Sequence, residues 1–301
     1  MRRDVRRGMT LIETVAAVAV VGLLVLIAVP AVLNARAAAR RASCVQNLRQ
    51  VGLALHNYAT ANSVLPMSQA RGLGYADGHG NGHSVFTCLL PYVELIPVYN
   101  MYNFSLENWH IANDTVVRTS IETFVCPDNP EVDSIAASEV RYPESRSMFA
   151  KGHYGANWGG GRGPWGEDFA KEKGKYLGVM MTVIAPDGRV KARDGKPRAR
   201  NVSFADITDG TSVTLAVMEK RDSFGWAVGG WGGSEFDVYK SPAYEGDDKL
   251  ARKVYSGSVH ADGPNALFCD GSVRSLPARQ DKKIWYRLIT RAGGEAVRFN
   301  D

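Results

Sequence analysis

Nineteen residues constrain this chain more than any others: from Val15 to Leu33 it reads VAAVAVVGLLVLIAVPAVL, without one charged or strongly polar side chain. At 1.5 Å per helical residue the run spans close to the roughly 30 Å of a bilayer core. It is a membrane helix or a signal sequence. A secretory signal has an apolar region of only about 7 to 15 residues, shorter than this run, although NARAAA around Ala37 offers a small-residue cleavage site. A plain single-span anchor explains everything except Glu13, a carboxylate at the mouth of the run. Near a helix end an acid is tolerated. At mid-bilayer it costs about 2.5 to 3.5 kcal/mol, so Glu13 either sits near the interface or has a cationic partner.

Cutting the chain between Gly8 and Met9 would make that partner. The new N terminus would be an ammonium four residues from Glu13, and a neighbouring copy would offer the same pair. Gly8 followed by MTLIE and an apolar helix resembles the cleavage and methylation signal of type IV prepilins and the pseudopilins of type II secretion. The resemblance implies a prepilin peptidase that cuts after Gly8 and methylates Met9, and an assembly role in which Glu13 pairs with a neighbour's amine. Pro30 falls where such helices often carry a kink-forming proline, while Met9 stands where the family usually has Phe.

The whole chain carries +5, but residues 1–8 hold four Arg against one Asp, so the processed chain falls to +2 by side chains. Its basic balance therefore says little about nucleic acid, and no nucleic-acid partner is expected. Arg36, Arg40 and Arg41 follow the apolar run and suit phospholipid headgroups, where each basic residue contributes about 1 kcal/mol near an anionic surface. Arginine on both flanks leaves the positive-inside rule undecided. A cytoplasmic N terminus is implied by the prepilin resemblance alone.

Beyond Asn34 the chain is rich in Ala, Arg, Gln and Leu, and places Cys44, Leu48, Val51, Leu55 and Tyr58 at steps of four, three, four and three. That stripe is one face of an amphipathic helix. The spacing predicts one helix from about Thr10 to about Tyr58, ended by Asn62, Ser63 and Pro66. The organisation is then a basic leader over 1–8, a transmembrane helix over 9–34, its amphipathic continuation over 35–60, and a β-rich head over 61–301.

Asp-Gly pairs begin at Asp77, Asp187, Asp194, Asp209, Asp262 and Asp270, and Asp-Gly between apolar runs marks tight turns. ALFCDGSVRSL predicts a hairpin turning at Asp270 and Gly271. NVSFADITDGTSVTLAVME predicts strands on both sides of Asp209 and Gly210, and YLGVMMTVIAPDGRVKARDG two more. NDTVVRTSIETFV suits a short helix, and DKKIWYRLITRAG a closing helix with Ile284 and Leu288 inward and Arg291 capping its last turn.

Across the head, CVQNLRQVGLALHNY, LLPYVE, FVCPDNP, HYGANWG, ITDGTSVTLAVMEK and SVHADGPNALFCDGSVRSL resemble a large bacterial group of prepilin-like proteins of unassigned function, DUF1559. Its signature places nine residues between His260 and the Asp270-Gly271 pair. Two readings of His260 stand: a metal or catalytic site with Asp270 and Asp262, or, weighted more heavily, a loop histidine bonding a backbone carbonyl or the turn carboxylate. The resemblance also implies a disulfide between Cys44 and Cys126, which would pin the long helix to the CPDNP loop. Cys88 and Cys269 read as buried thiols within apolar strands. With no CxxC pair, a zinc ribbon is excluded.

Other chemistry is weaker. His56, His79, His83, His110 and His153 are scattered, and DGHGNGH reads as a polar glycine-rich loop. Asp206 and Asp209, or Asp77, would supply hard oxygen ligands, but the alternation of an EF-hand is missing. GGGRGPWG lacks the Gly-Lys-Ser/Thr ending of a P-loop, and no GxSxG elbow is present. Trp158, Trp165, Trp226 and Trp231 stand among glycines, where they either stack on sugar rings or a partner, or fill a core; the core reading is favoured. The sequence thus assigns no catalytic residue, metal or cofactor. It reads as an α+β, pilin-like protein of the cytoplasmic membrane, single-pass with an extracytoplasmic head. Its partners would be prepilin peptidase, other pilin-like subunits and membrane lipid, in a type II secretion or type IV pilus-like system. The rival readings are an anchored module binding glycan or protein and a metal-dependent envelope enzyme.

Overall fold

The structure is a computed structural model that describes residues 10–66, 83–129, 134–136, 148–159, 178–180, 202–220, 225–229, 235–237, 258, 260, 263–277 and 282–294. The chain divides into two compact units, Met1–Ala42 and Ser43–Asp301.

Helix α1 covers Leu11–Asn62. It begins on a capping box: Thr10 N and Oγ1 both donate to Glu13 Oε2, at 2.8 and 3.0 Å, which satisfies donors that the first turn leaves orphaned. In the first unit every side chain from Thr10 to Arg40 is exposed, and this helix is long and apolar enough to cross a membrane. It ends where Asn62 Nδ2 donates to the Tyr58 carbonyl at 2.9 Å and Ser63 turns left-handed at φ 61°. The helix thus outruns the predicted end near Tyr58 by one turn.

In the second unit the predicted stripe is buried: Cys44, Leu48 and Val51 are wholly covered and Leu55 nearly so. Short helices follow at α2 Val85–Leu89, α3 Ile96–Met101 and α4 Asp114–Val117. Strands β1 Ser134–Ala136 and β2 Met148–Ala150 form an antiparallel pair. The main sheet uses β3 Tyr154–Gly159, β4 Leu215–Glu219, β5 Glu235–Asp237, β6 Asn265–Phe268 and β7 Val273–Ser275, in the order β5-β3-β4-β6-β7. It is antiparallel except at the edge, where β5 runs parallel to β3. Helix α5, Lys282–Ile289, closes the described fold.

Both faces of the sheet are covered, which is why its central strands read as continuous apolar runs. Val217 and Leu267 join the α1 stripe in one apolar cluster. Met218, Ala266 and Phe268 join Trp285, Leu288 and Ile289 of α5 in the other. The alternation along β6 is the period of two that a strand imposes. Gly52 lets α1 approach the sheet closely, since a Cβ there would meet Leu267 Cδ1 at 2.8 Å.

Four local expectations need correction. NDTVVRTSIETFV is not one helix: its β-branched run stops α4 at Val117, and a 3-10 turn follows at Glu122–Phe124. The segment before Asp209 is not a strand, because Asp206 accepts from Ser203 N and Oγ at 2.9 and 2.8 Å and folds Phe204–Asp206 into a capped 3-10 turn. Cys88 lies in α2 rather than a strand. Arg291 donates to the Gly178 carbonyl at 2.7 Å instead of capping α5. Of YLGVMMTVIAPDGRVKARDG only Gly178, Val179 and Met180 fall among the described residues.

Candidate functional site

His260 lies at the centre of a buried polar cluster assembled from four parts of the second unit. Cys44 comes from α1, Cys126 and Asp128 from the loop after Glu122–Phe124, Glu219 from the end of β4, and His260 from the approach to β6. Cys44 and Cys126 are joined by a disulfide with Cα atoms 5.1 Å apart. Asn47, one turn beyond Cys44, supports the same junction by donating to the Glu122 and Val125 carbonyls at 3.2 and 2.9 Å. His153 supports it from the strand side, where its Nδ1 accepts the Cys126 N–H at 3.0 Å.

His260 Nδ1 stands 3.2 Å from Asp128 Oδ2, and Nε2 stands 3.4 Å from Glu219 Oε1 and 3.7 Å from Cys126 Sγ. Asp128 and Glu219 thus flank the two ring nitrogens of His260. Glu219, 1% exposed, is fixed by Asn265, whose backbone N–H reaches Oε2 and whose Nδ2 reaches Oε1, both at 2.8 Å. Burial first, and the Glu219 charge second, push the neighbouring Tyr154 hydroxyl well above the ordinary phenol range. The Cys44 and Cys126 sulfurs, a Glu219 oxygen and a His260 nitrogen all lie within 4.8 Å of one another.

Asp270 is not a partner of His260. It sits at the β6–β7 turn, where Oδ1 accepts from Ser272 N and Oγ at 2.8 and 2.7 Å while Gly271 takes φ +86°. The turn's own hydrogen bonds use the carboxylate. Asp262 lies outside the described residues, as do Gly8, Met9, Trp165, Trp231, Asp77 and His79. Trp158 is placed by its backbone in β3.

Trp226 is 1% exposed, packs near Phe124 and donates Nε1–H to the Thr119 carbonyl at 2.9 Å, so it presents no face to a ligand. Asp209 accepts from Gly293 N and Gly294 N at 2.6 and 2.9 Å, and Asp206 serves the cap described above; both candidate calcium ligands are committed to backbone. Glu13 is engaged with Thr10, and Pro30 lies inside α1. Cys88 and Cys269 are free; burial raises the Cys88 thiol to about 11 and the Cys269 thiol further, so neither is a ready thiolate.

Sequence reasoning missed Glu219 and Asp128. Glu219 carried a faint signal, as a carboxylate closing an apolar strand, and Asp128 one in its position two residues beyond Cys126.

Residues 33–235 match the family described as Protein of unknown function (DUF1559). Neither the curated proteins nor the solved structures contain a match.

Proposed function

The chain belongs to the DUF1559 family, and from that premise we propose that it is a pseudopilin-like, membrane-anchored assembly subunit rather than an enzyme. Prepilin peptidase would cut after Gly8 and methylate Met9, the N terminus would face the cytoplasm, and the head would lie outside the membrane. One observation carries the reading. The apolar stretch of α1 is exposed along its whole length, yet a carboxylate, Glu13, stands in its first turn. Lipid accounts for the apolar surface. It does not account for the acid, whose neutralisation by a neighbour's N-terminal amine would set both register and partner.

The local capping by Thr10 gives the lone subunit a resting arrangement for Glu13. Assembly would exchange that hydrogen-bonded state for a charge pair. The mechanism is physical: paired charges fix the stagger of adjacent helices, apolar faces bury against one another, and the head determines what is touched. A type II secretion or type IV pilus-like machine would handle such a subunit.

Glu13→Ala separates this reading from an anchored binding module. In membranes, cysteine cross-linking between subunits through the apolar helix should fall several-fold in the variant, while the proteolytic resistance of the head is unchanged. Equal cross-linking in both proteins would overturn the assembly role of Glu13.

A further inference from the structure

We propose that Cys44, Cys126, Glu219 and His260 form a zinc site that is available while the two cysteines are thiols and is closed by their disulfide. The donor set is two sulfurs, one imidazole nitrogen and one carboxylate oxygen, the ligand types that a tetrahedral zinc ion takes. The spacing fits as well. With zinc bonds of about 2.3 Å to sulfur and about 2.1 Å to nitrogen and oxygen, the tetrahedron has edges of about 3.4 Å for N···O and about 3.6 Å for S···N. The structure has 3.4 Å from His260 Nε2 to Glu219 Oε1 and 3.7 Å from His260 Nε2 to Cys126 Sγ.

The next shell is that of a metal site. Asp128 holds Nδ1 of His260 at 3.2 Å, leaving Nε2 as the ligating nitrogen, and Asn265 holds both oxygens of Glu219. Zinc-bound histidines carry such a carboxylate, which fixes the tautomer and raises ligand basicity. Cys44 and Cys126 are almost fully buried, whereas the Asp128 side chain is 17% exposed and marks the route inward.

The sulfurs decide the state. Joined by a bond they stand about 2.05 Å apart, but as two thiolates on one zinc they stand about 3.8 Å apart. The disulfide and the metal exclude each other. Opening the bond takes two electrons and two protons from a dithiol donor, which becomes a disulfide as Cys44 and Cys126 become thiols. Zinc binding then releases those two protons to water. In a newly made chain the cysteines are already thiols, so zinc competes for the pair with a disulfide donor, which is reduced to its dithiol as Cys44 and Cys126 join. Whichever arrives first clamps α1 to the Cys126 loop.

The test uses the full-length chain in detergent, either oxidised or reduced without oxygen by a phosphine that takes up the oxygen of one water as each disulfide becomes two thiols. Each form is exposed to zinc chloride, desalted and assayed for bound metal, and cobalt is used in parallel as a spectroscopic probe. The expected result is one tightly held zinc per reduced chain and none per oxidised chain. Cobalt should show thiolate charge-transfer bands and the intense ligand-field bands of tetrahedral coordination. Asp128→Asn should weaken zinc binding by 10- to 100-fold with all four ligands retained, and His260→Gln or Glu219→Gln should weaken it further. Cys88→Ser and Cys269→Ser should bind as the parent does. Equal zinc in both redox forms, none in the reduced form, octahedral cobalt, or loss of binding only with Cys88 or Cys269 would each overturn the site. Where His260→Gln or Glu219→Gln fails to fold, Asp128→Asn and the parent's cobalt spectrum decide.

Discussion

His83 illustrates how a single interior residue ties this fold to pH. Its Nε2–H donates to the Phe104 carbonyl and its Nδ1 accepts from the Tyr102 hydroxyl, both at 2.9 Å. The neutral ring is satisfied, and burial holds its pKa below the ordinary histidine value. As pH falls, the unfolded chain takes up this proton first. The contribution of His83 is therefore complete above about pH 6.5 and is lost as pH drops below that toward the folded value. Denaturation of the parent between pH 7.5 and 5.5 should show stability falling with acid, and His83→Gln should flatten the curve; identical pH slopes would contradict the assignment. The surroundings of His83 and His260 were illegible in the sequence for one shared reason. Both are buried, but their partners come from elsewhere in the chain, so a sequence places the imidazole without its neighbours. Asp270 was readable because an Asp-Gly turn makes its hydrogen bonds locally, and that same local bonding removes it from His260.

At the scale of elements, turn chemistry and periodicity carried most of what could be foreseen. The α1 stripe from Cys44 to Leu55, the β6–β7 hairpin and α5 all follow from spacing that repeats within one element. The failures arose where side chains compete with backbone pairing, as Asp206 does by capping its own turn. Pairings between distant strands, such as the parallel contact of β5 with β3, leave no local trace. The hairpin gives a direct check. Gly271 takes φ +86° and a Cβ there would meet only the His56 ring, Nε2 at 3.5 Å and Cδ2 at 3.8 Å, ordinary contacts. Gly271→Ala should thus cost about 1 kcal/mol from backbone strain alone. Gly271→Asn should cost less, because asparagine tolerates the left-handed region. A thermal unfolding series measures both, and a neutral Gly271→Ala would show that Gly271 is not held by its turn.

For the whole molecule, the sequence separates what a membrane demands from what a head demands. An apolar run with an acid at its mouth is legible because lipid, unlike a folded core, constrains length and charge along a continuous stretch. The interior of the head is less legible, since a buried carboxylate such as Glu219 has meaning only beside His260 and Asn265. Family membership extends over residues 33–235 and names no activity, so the assembly account rests on the first residues of the chain. The measurement that tests it most directly is the intact mass and N-terminal sequence of the native protein extracted from membranes. The account predicts a chain that begins at Met9 and carries one added methyl group. A chain that still begins at Met1, or one cut near Ala37, would contradict it.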